Sequence, residues 1–329
     1  MDQVLGIAAD HVGWSDRFAE FATALDIEYE VFIIERGNWL DTVDRFSGIL
    51  WRPNLDPPFC EEAKEKIYFL ESCLGKRVFP NWATFWHYDN KRAQSYMLGW
   101  AGVAIPETFV CFCKEDAREA VRRLRFPLVS KTAGGAASEF VRLLRDPAEA
   151  DAEIRCAFKE SVAEKVLRKL GVWVAKRRSA PKRYVLWQEF IDQNARDLRI
   201  TVIGKRDVFA FWRNNRPGDF RASGSGRMDY SVDGCLEEMS MCVDLCRRLD
   251  FDSMAFDIVY RKSEAVVVEM SYTFNDQAIY DCPGHYWADE AGAMTYHEGH
   301  EWPQRAYLRH VQRTLSGLGS AESPTRTLS

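Results

Sequence analysis

The sequence predicts an α/β N-terminal lobe followed by two α+β lobes. Three observations lead there. Short apolar strands alternate with helices up to about residue 80; a second strand–helix unit ends at Lys131, where a loop of small residues begins; and from Tyr184 the chain is strand-rich, with a hairpin bearing a carboxylate on each strand. Strand–helix alternation belongs to a sheet covered by helices, and runs of strands broken by single helices to α+β packing.

Taken in order, residues 4–8 form a strand, Trp14 to Leu25 an amphipathic helix, residues 29–34 a second strand and residues 47–52 a third, stopped by Pro53. Residues 59–74 read as a helix before a strand at 77–80, and Trp82 to Tyr88 as a connector. Asp89 is the expected N-cap of a helix running through Trp100, because a short carboxylate before a helical run satisfies its first free N–H groups. A strand from Ile105, a helix over 114–124, the strand ending at Lys131 and a strand over 139–144 make the next unit. Residues 147–183 read as mainly helical and basic near the end, a solvated face or lid rather than a nucleic-acid contact. Strands follow at 184–188, 197–203 and 208–213, then a helix over 236–248, the hairpin, and a last helix at 303–315. The lobes are thus bounded at 1–88, 89–190 and 191–315, and the Ser- and Thr-rich tail 316–329 is expected to be disordered.

Two places carry chemistry. Lys131 closes an apolar strand and precedes a run containing Gly134, Gly135 and Ser138. Small residues let backbone N–H groups approach phosphate oxygens, and the ammonium adds a compact charge, so this pairing suits a triphosphate. In the hairpin, a loop over 261–265 sets Tyr260 opposite Val266 and Asp257 opposite Glu269, with Cβ atoms roughly 5 Å apart. Two carboxylates so placed repel unless a cation sits between them, and a hard divalent ion is the usual answer. Ser271, two residues beyond Glu269, shares its face and adds a hydroxyl.

Composition narrows the classes. The formal charge of −5 argues against nucleic acid as partner, and no apolar run reaches the roughly eighteen residues of a membrane span. The N-terminus lacks a signal-peptide pattern, which points to the cytosol. Nine cysteines without framework spacing fit reduced thiols, with Cys111, Cys113, Cys242 and Cys246 read as core residues. Neither a P-loop nor a dinucleotide-binding glycine fingerprint is present, and His297 and His300 miss metalloprotease spacing and read as a surface loop. The tryptophans at 82, 86, 212 and 287 read as packing residues rather than stacking platforms.

From about Asn81 to Trp287 the ordered series resembles the ATP-grasp superfamily, in its carboxylate–amine ligase branch with the ribosomal-protein glutamate ligases and bacterial glutathione synthetase. The resemblance implies that Lys91 and Lys131 are the phosphate-binding lysines and that Gly134, Gly135 and Ser138 belong to the loop closing over the phosphates. It implies that Gln188, Glu189, Phe190 and Ile191 are the adenine-binding hinge, with Asp197 near the ribose. Arg199, Arg213 and Arg221 would steady the phosphoryl and acyl groups, and Asp257 and Glu269 would hold Mg²⁺. The family's Glu-x-Asn metal motif is here Glu269-Met-Ser271, which leaves Ser271 or Asn275 as the third group, and Ala222 and Ser223 replace a frequent asparagine.

The expected function is an ATP-dependent ligase forming an amide through an acyl phosphate, with ATP and Mg²⁺ as cofactors. Its partners would be a small-molecule, peptide or sugar carboxylate and an amine, with no nucleic acid or membrane, and with homo-oligomerisation left open. The alternatives are a nucleotide-binding regulatory module without ligation and an ATP-grasp kinase.

Overall fold

The computed structural model describes residues 4–131, 141–159, 184–216, 218 and 227–318. The N-terminal sheet is parallel, in the order β2-β1-β3-β4, from β1 (Leu5–Ala8), β2 (Tyr29–Phe32), β3 (Gly48–Trp51) and β4 (Arg77–Phe79). Both inner strands are buried along their length, which is why they read as unbroken apolar runs rather than as alternation. Helices α1 (Trp14–Ala24), α2 (Trp39–Val43) and α3 (Pro57–Ser72) make the crossovers.

The expected connector after β4 contains a helical turn, α4 (Trp82–Phe85), because Asn81 caps it by accepting from the Thr84 N–H and Glu71 accepts from the Trp82 N–H at 2.9 Å. The next helix, α5 (Lys91–Trp100), corrects the expected cap. Asp89 takes a left-handed backbone conformation, φ 52, and the capping oxygen is that of Asn90, 3.2 Å from the Ala93 N–H. The turn at Asp89 carries its own side chain past the helix start.

The central lobe is an antiparallel sheet, order β5-β8-β6-β7, of β5 (Thr108–Cys111), β6 (Leu128–Lys131), β7 (Arg142–Leu144) and β8 (Val185–Glu189). Helices α6 (Lys114–Arg123) and α7 (Pro147–Ala157) cover it, and its core, including Leu128, Ile154 and Trp187, is separate from the rest. The small-residue loop after Lys131 and the basic stretch up to residue 183 lie outside the described residues, apart from α7 and the two residues after it.

The C-terminal sheet runs β13-β12-β9-β10-β14-β15, with β11 (Met228–Asp229) paired to β10. Its strands are β9 (Arg196–Ile203), β10 (Asp207–Asn214), β12 (Ser253–Arg261), β13 (Glu264–Ser271), β14 (Gly284–Ala288) and β15 (Met294–Glu298), with helices α8 (Leu236–Arg248), α9 (Asp276–Tyr280) and α10 (Pro303–Leu318). The expected surface loop at His297 is instead β15, because its ring packs across the pairing against Trp287 at 3.8 Å between centroids. Cys242 and Cys246 are core residues on α8, as expected.

The alternation along β9 sets what each face does. Leu198, Ile200 and Val202 turn into the core with Met239, Cys242 and Val243 of α8. On the opposite face Ile203, Phe209 and Phe211 lie under α10, whereas Asp197, Arg199 and Arg213, farther along the same face, carry charge.

Helix α10 joins the outer lobes. Its Leu308, Val311 and Leu315 pack with Leu5, Ile7 and Phe18 on one side and Ile203 and Phe209 on the other. Gly204 admits it closely, since an added Cβ would sit 2.6 Å from the His310 Cβ. Asp252 adds a polar tie, with one oxygen 2.8 Å from His310 Nε2 and the other accepting from the Asn81 N–H at 2.7 Å. Helix α5 also packs on this body: Gln94 Nε2 donates to the Met270 carbonyl at 2.8 Å, and Leu98 and Ala101 join its core. Packing onto this body therefore extends through α5.

Burial raises the Glu71 carboxyl to about 7, with the Trp82 N–H opposing and the nearby Asp252 adding to the rise. Its folded pKa exceeds the ordinary value, so the folded state holds an extra proton below neutrality and loses that stabilisation as pH rises through 7. Glu71→Gln is expected to flatten the fall in melting temperature between about pH 5 and 8, while still accepting from Trp82. Thermal melts across that range check it; an unchanged slope removes Glu71 as the cause.

Candidate active site

Between the edge of the central sheet and the charged part of the C-terminal sheet lies a cleft lined by Lys131, Gln188, Glu189, Phe190, Ile191, Asp197, Arg213, Asp257 and Glu269. Val129, Val141, Val259 and Val268 add apolar wall. Lys131 closes β6 and reaches across the cleft to the Val268 carbonyl, 3.4 Å from Nζ. Burial pushes its ammonium down from the ordinary lysine range, Glu269 opposes that, and Lys91 adds to the lowering. Lys91, the first residue of α5, is buried with Nζ 3.4 Å from Glu269 Oε1. Gly134, Gly135, Ser138 and Arg221 lie outside the described residues.

The deepest charges form one network. Arg199 holds Asp257 with two bonds, Nε to Oδ1 at 2.5 Å and a terminal nitrogen to Oδ2 at 3.0 Å. Arg213 holds Asp197 in the same manner, at 2.7 and 2.6 Å, and also reaches Asp257 Oδ2 at 2.8 Å. The register explains the assembly: Asp257 is paired with Arg199 between β12 and β9, and Asp197 with Arg213 between β9 and β10. Burial alone would raise Asp257, but Arg199 and Arg213 more than offset it and hold the carboxyl below its usual range. For Arg213 burial opposes the charge, and Asp257 and Asp197 outweigh it, so the guanidinium stays protonated. Asp197, expected near a ribose, is committed to Arg213.

Asp257 and Glu269 do stand opposite each other, by a different route from the expected one. Arg261 pairs with Glu264 and Tyr260 with Ala265, so the turn is only Lys262 and Ser263. A bulge beyond Asp257 then shifts the register by one residue and restores the facing carboxylates. The repulsion expected between them is already compensated, Asp257 by two arginines and Glu269 by Lys91.

The residues fit a hard divalent ion in part. Magnesium takes one or two carboxylates and fills its other positions with phosphate oxygens and water, which Asp257 and Glu269 satisfy. Among the described residues no cluster of three or more acidic, histidine or cysteine side chains is present. The Ser271 hydroxyl donates to the Thr273 carbonyl at 2.8 Å, and Asn275 caps α9, so both candidate third groups are held by backbone.

Two hinge-holding residues were not visible in the sequence because their partners are distant. Arg261 grips Glu189 through Nε and a terminal nitrogen, at 3.2 and 2.6 Å, and also donates to the Ile105 carbonyl. Asn194 makes a two-way bond with the backbone of Tyr260, which ties the segment after β8 to β12. The Glu189 N–H is taken by Glu107, at 2.9 Å. Gln188 donates to Thr108 at 3.0 Å, while its own side-chain oxygen is buried without a partner among the described residues.

Residues 88–279, more than half of the chain, match the RimK-like ATP-grasp domain. The chain belongs to the RimK-like ATP-grasp family. It is 28% identical over 140 residues to the glutamate–LysW ligase ArgX of Sulfurisphaera tokodaii, a match covering 42% of this chain and 44% of that protein. The chain thus spans less than half the length of that curated relative. A RimK-domain ATP-grasp protein from Sphaerobacter thermophilus superposes with a TM-score of 0.55 at 17% identity, over 84% of this chain and 93% of the other. The D-alanine–D-alanine ligase of Bacillus anthracis in complex with ATP gives 0.60 at 13%, over 97% and 100%. At such identities these structures bear on the fold, and they carry the ATP-grasp architecture across all three lobes.

In this ATP-grasp protein the two facing carboxylates differ in what they hold. Asp257→Asn is expected to destabilise by about 3 kcal/mol or more, because it leaves the buried Arg213 and the partly buried Arg199 short of a counter-charge. Glu269→Gln, on a side chain 42% exposed, is expected to stay within about 1 kcal/mol of the parent. Denaturant melts of both variants test the asymmetry, and equal effects would show that the arginine network does not bear on stability.

Proposed function

We propose that the chain is an ATP-dependent ligase that joins a carboxylate to an amine, with ATP and Mg²⁺ in the cleft between the central and C-terminal lobes. The observation that carries this reading is the convergence of Lys91, Lys131, Arg199 and Arg213 on two facing carboxylates beside an apolar hinge. Phe190, Ile191 and Val129 suit the faces of a nucleobase, and the cations suit a triphosphate.

A carboxylate is a poor acylating agent at neutral pH because its leaving oxygen is too basic. Transfer of the γ-phosphoryl group to it gives an acyl phosphate and ADP; attack by a neutral amine then expels inorganic phosphate and forms the amide. Lys131 and Arg213 would neutralise charge on the transferring group, with Lys91 acting through Glu269. Asp257 and Glu269 would hold magnesium, which supplies further charge neutralisation at the phosphates. The arginines now closed on Asp257 are placed to exchange part of that contact for phosphate oxygens.

We place the carboxylate and amine among amino acids and peptides, a reading supported by relatives named for glutamate and D-alanine. The acceptor side would be formed with the N-terminal lobe. There Trp51 Nε1, Arg52 Nε and the Tyr272 hydroxyl are buried with no hydrogen-bond partner among the described residues, donors suited to a substrate carboxylate. No described helix is long and apolar enough to cross a membrane, and a cytosolic location, where ATP is abundant, completes the proposal.

Hydroxylamine is the direct test. With ATP, Mg²⁺ and a panel of amino acids and peptides, an acyl phosphate is trapped as a hydroxamate together with ADP. A kinase or a silent nucleotide binder yields no hydroxamate with any carboxylate, and that result would overturn the proposal.

Nucleotide binding is tested separately. Lys131→Ala should weaken ATP affinity by roughly 2 kcal/mol in calorimetry. Glu269→Gln should lose most of the thermal stabilisation that ATP with Mg²⁺ gives the parent. Unaltered affinity and stabilisation in both variants would move the triphosphate elsewhere.

A further inference from the structure

The turn between β9 and β10 opens onto a second cavity, of about 800 Å³, on the C-terminal lobe. It lies at the far end of the strands that carry the charge network. Ile203 and Asp207 pair at this end and Asp197 and Arg213 at the other, so six residues of strand, roughly 20 Å, separate the two places.

Three guanidinium groups face this cavity, those of Arg206, Arg247 and Arg313. Among the described residues none of the three has a carboxylate within ion-pair distance, whereas neighbouring Lys205 is paired with Asp250. Arg247 spends its donors on the carbonyls of Lys205, Ala288, Asp289 and Glu290, which fixes the cavity wall and leaves its charge uncancelled. Arg206 stands over the Trp287 ring, 4.3 Å from its centroid. An aromatic face holds a guanidinium in place without using its N–H donors, and Trp287 is itself fixed by donating to His285 Nε2 at 2.8 Å. Arg313 sits at the rim. Burial lowers its pKa, Asp207 opposes, and Arg206 and Arg309 lower it further, so it lies in the repulsion of other cations. His297 also lines the cavity, and its Nε2 is buried with no partner among the described residues.

Acidic groups are present, and among the described residues none stands within ion-pair distance of these three cations. Asp289 accepts from the Ala293 N–H, Glu290 is exposed, and Asp207 is bound to Arg309 at 2.9 Å. Arg206, held on an aromatic face with its N–H donors unspent, and the exposed Arg313, beside the uncancelled charge of Arg247, match the forked oxygens of phosphate and carboxylate.

We propose that this cavity is a second ligand site, for a small oxyanion bearing phosphate or carboxylate groups, separate from the nucleotide cleft. Its anchors are Arg206 and Arg313, with Arg247 supplying field and shape. The β14–β15 hairpin and Arg313 lie beyond residues 88–279 and Arg206 and Arg247 within them, so the site is built between the matched ATP-grasp domain and the segment that follows it.

Calorimetric titration with inorganic phosphate and, separately, with malonate tests this at constant ionic strength set by chloride. The parent is compared with Arg313→Gln, Arg206→Gln and the nucleotide-cleft variant Lys91→Ala. Saturable binding of either titrant is expected, weakened about tenfold or more by Arg313→Gln or Arg206→Gln and retained in Lys91→Ala. Which titrant binds more tightly assigns the ligand as phosphate or carboxylate. Binding lost in Lys91→Ala but kept in the arginine variants would return the anion to the nucleotide cleft. Heats no different from chloride would show solvated charges only. Either of those results overturns the proposal. Melting curves of the arginine variants without anions should match or exceed the parent, since each removes an unpaired cation.

Discussion

Four linked charges, three of them buried, constrain the C-terminal lobe. Asp257, Arg199, Asp197 and Arg213 lie on one face of three adjoining strands, and each satisfies another. A one-residue slip of β9 would carry Asp197 and Arg199 into the packing of α8 and expose Leu198 and Ile200. The network thus ties register to charge: the strands align one way because any other alignment leaves ions without partners in a medium where that is costly. The same alignment sets Glu269 opposite Asp257 at the cleft, so strand register and the placing of the two carboxylates are one event.

What could be read in advance followed from local pattern. The parallel N-terminal strands, α8 and the carboxylate hairpin each announce themselves through runs or alternation of apolar residues. The facing of Asp257 and Glu269 followed from counting, although the actual turn is shorter and a bulge makes up the difference. Other features were closed to such reading because their causes are distant. Asn90 rather than Asp89 caps α5 because of a backbone turn that composition does not encode. The strand at His297 exists because Trp287 lies beside it, and α5 joins the C-terminal body through Gln94 and Met270, far apart in sequence. Arg261 and Asn194 are ordinary polar residues until their partners are known.

The cations of the cleft are not equivalent. Arg213 is buried and Arg199 partly buried in a charge-balanced cluster, and both are held in position by carboxylates. Lys91 is held by the more exposed Glu269, and among the described residues Lys131 donates to a carbonyl at the limit of hydrogen bonding. On the proposed reading the lysines would adjust to an incoming triphosphate, while the arginines would need to give up only part of their contact with Asp257.

The outer lobes are fused through α10 and Asp252, whereas the described residues of the central lobe pack around a core of their own. Both crossings into it, at Ile105 and at Glu189, are gripped by one side chain, that of Arg261. This pin is open to solvent, unlike the charges below it. Dissolved ions screen exposed pairs and leave buried ones almost untouched. Ionic strength therefore acts on the two parts of the molecule unequally: it weakens the pin at the lobe crossings while the charge cluster beneath keeps its strength.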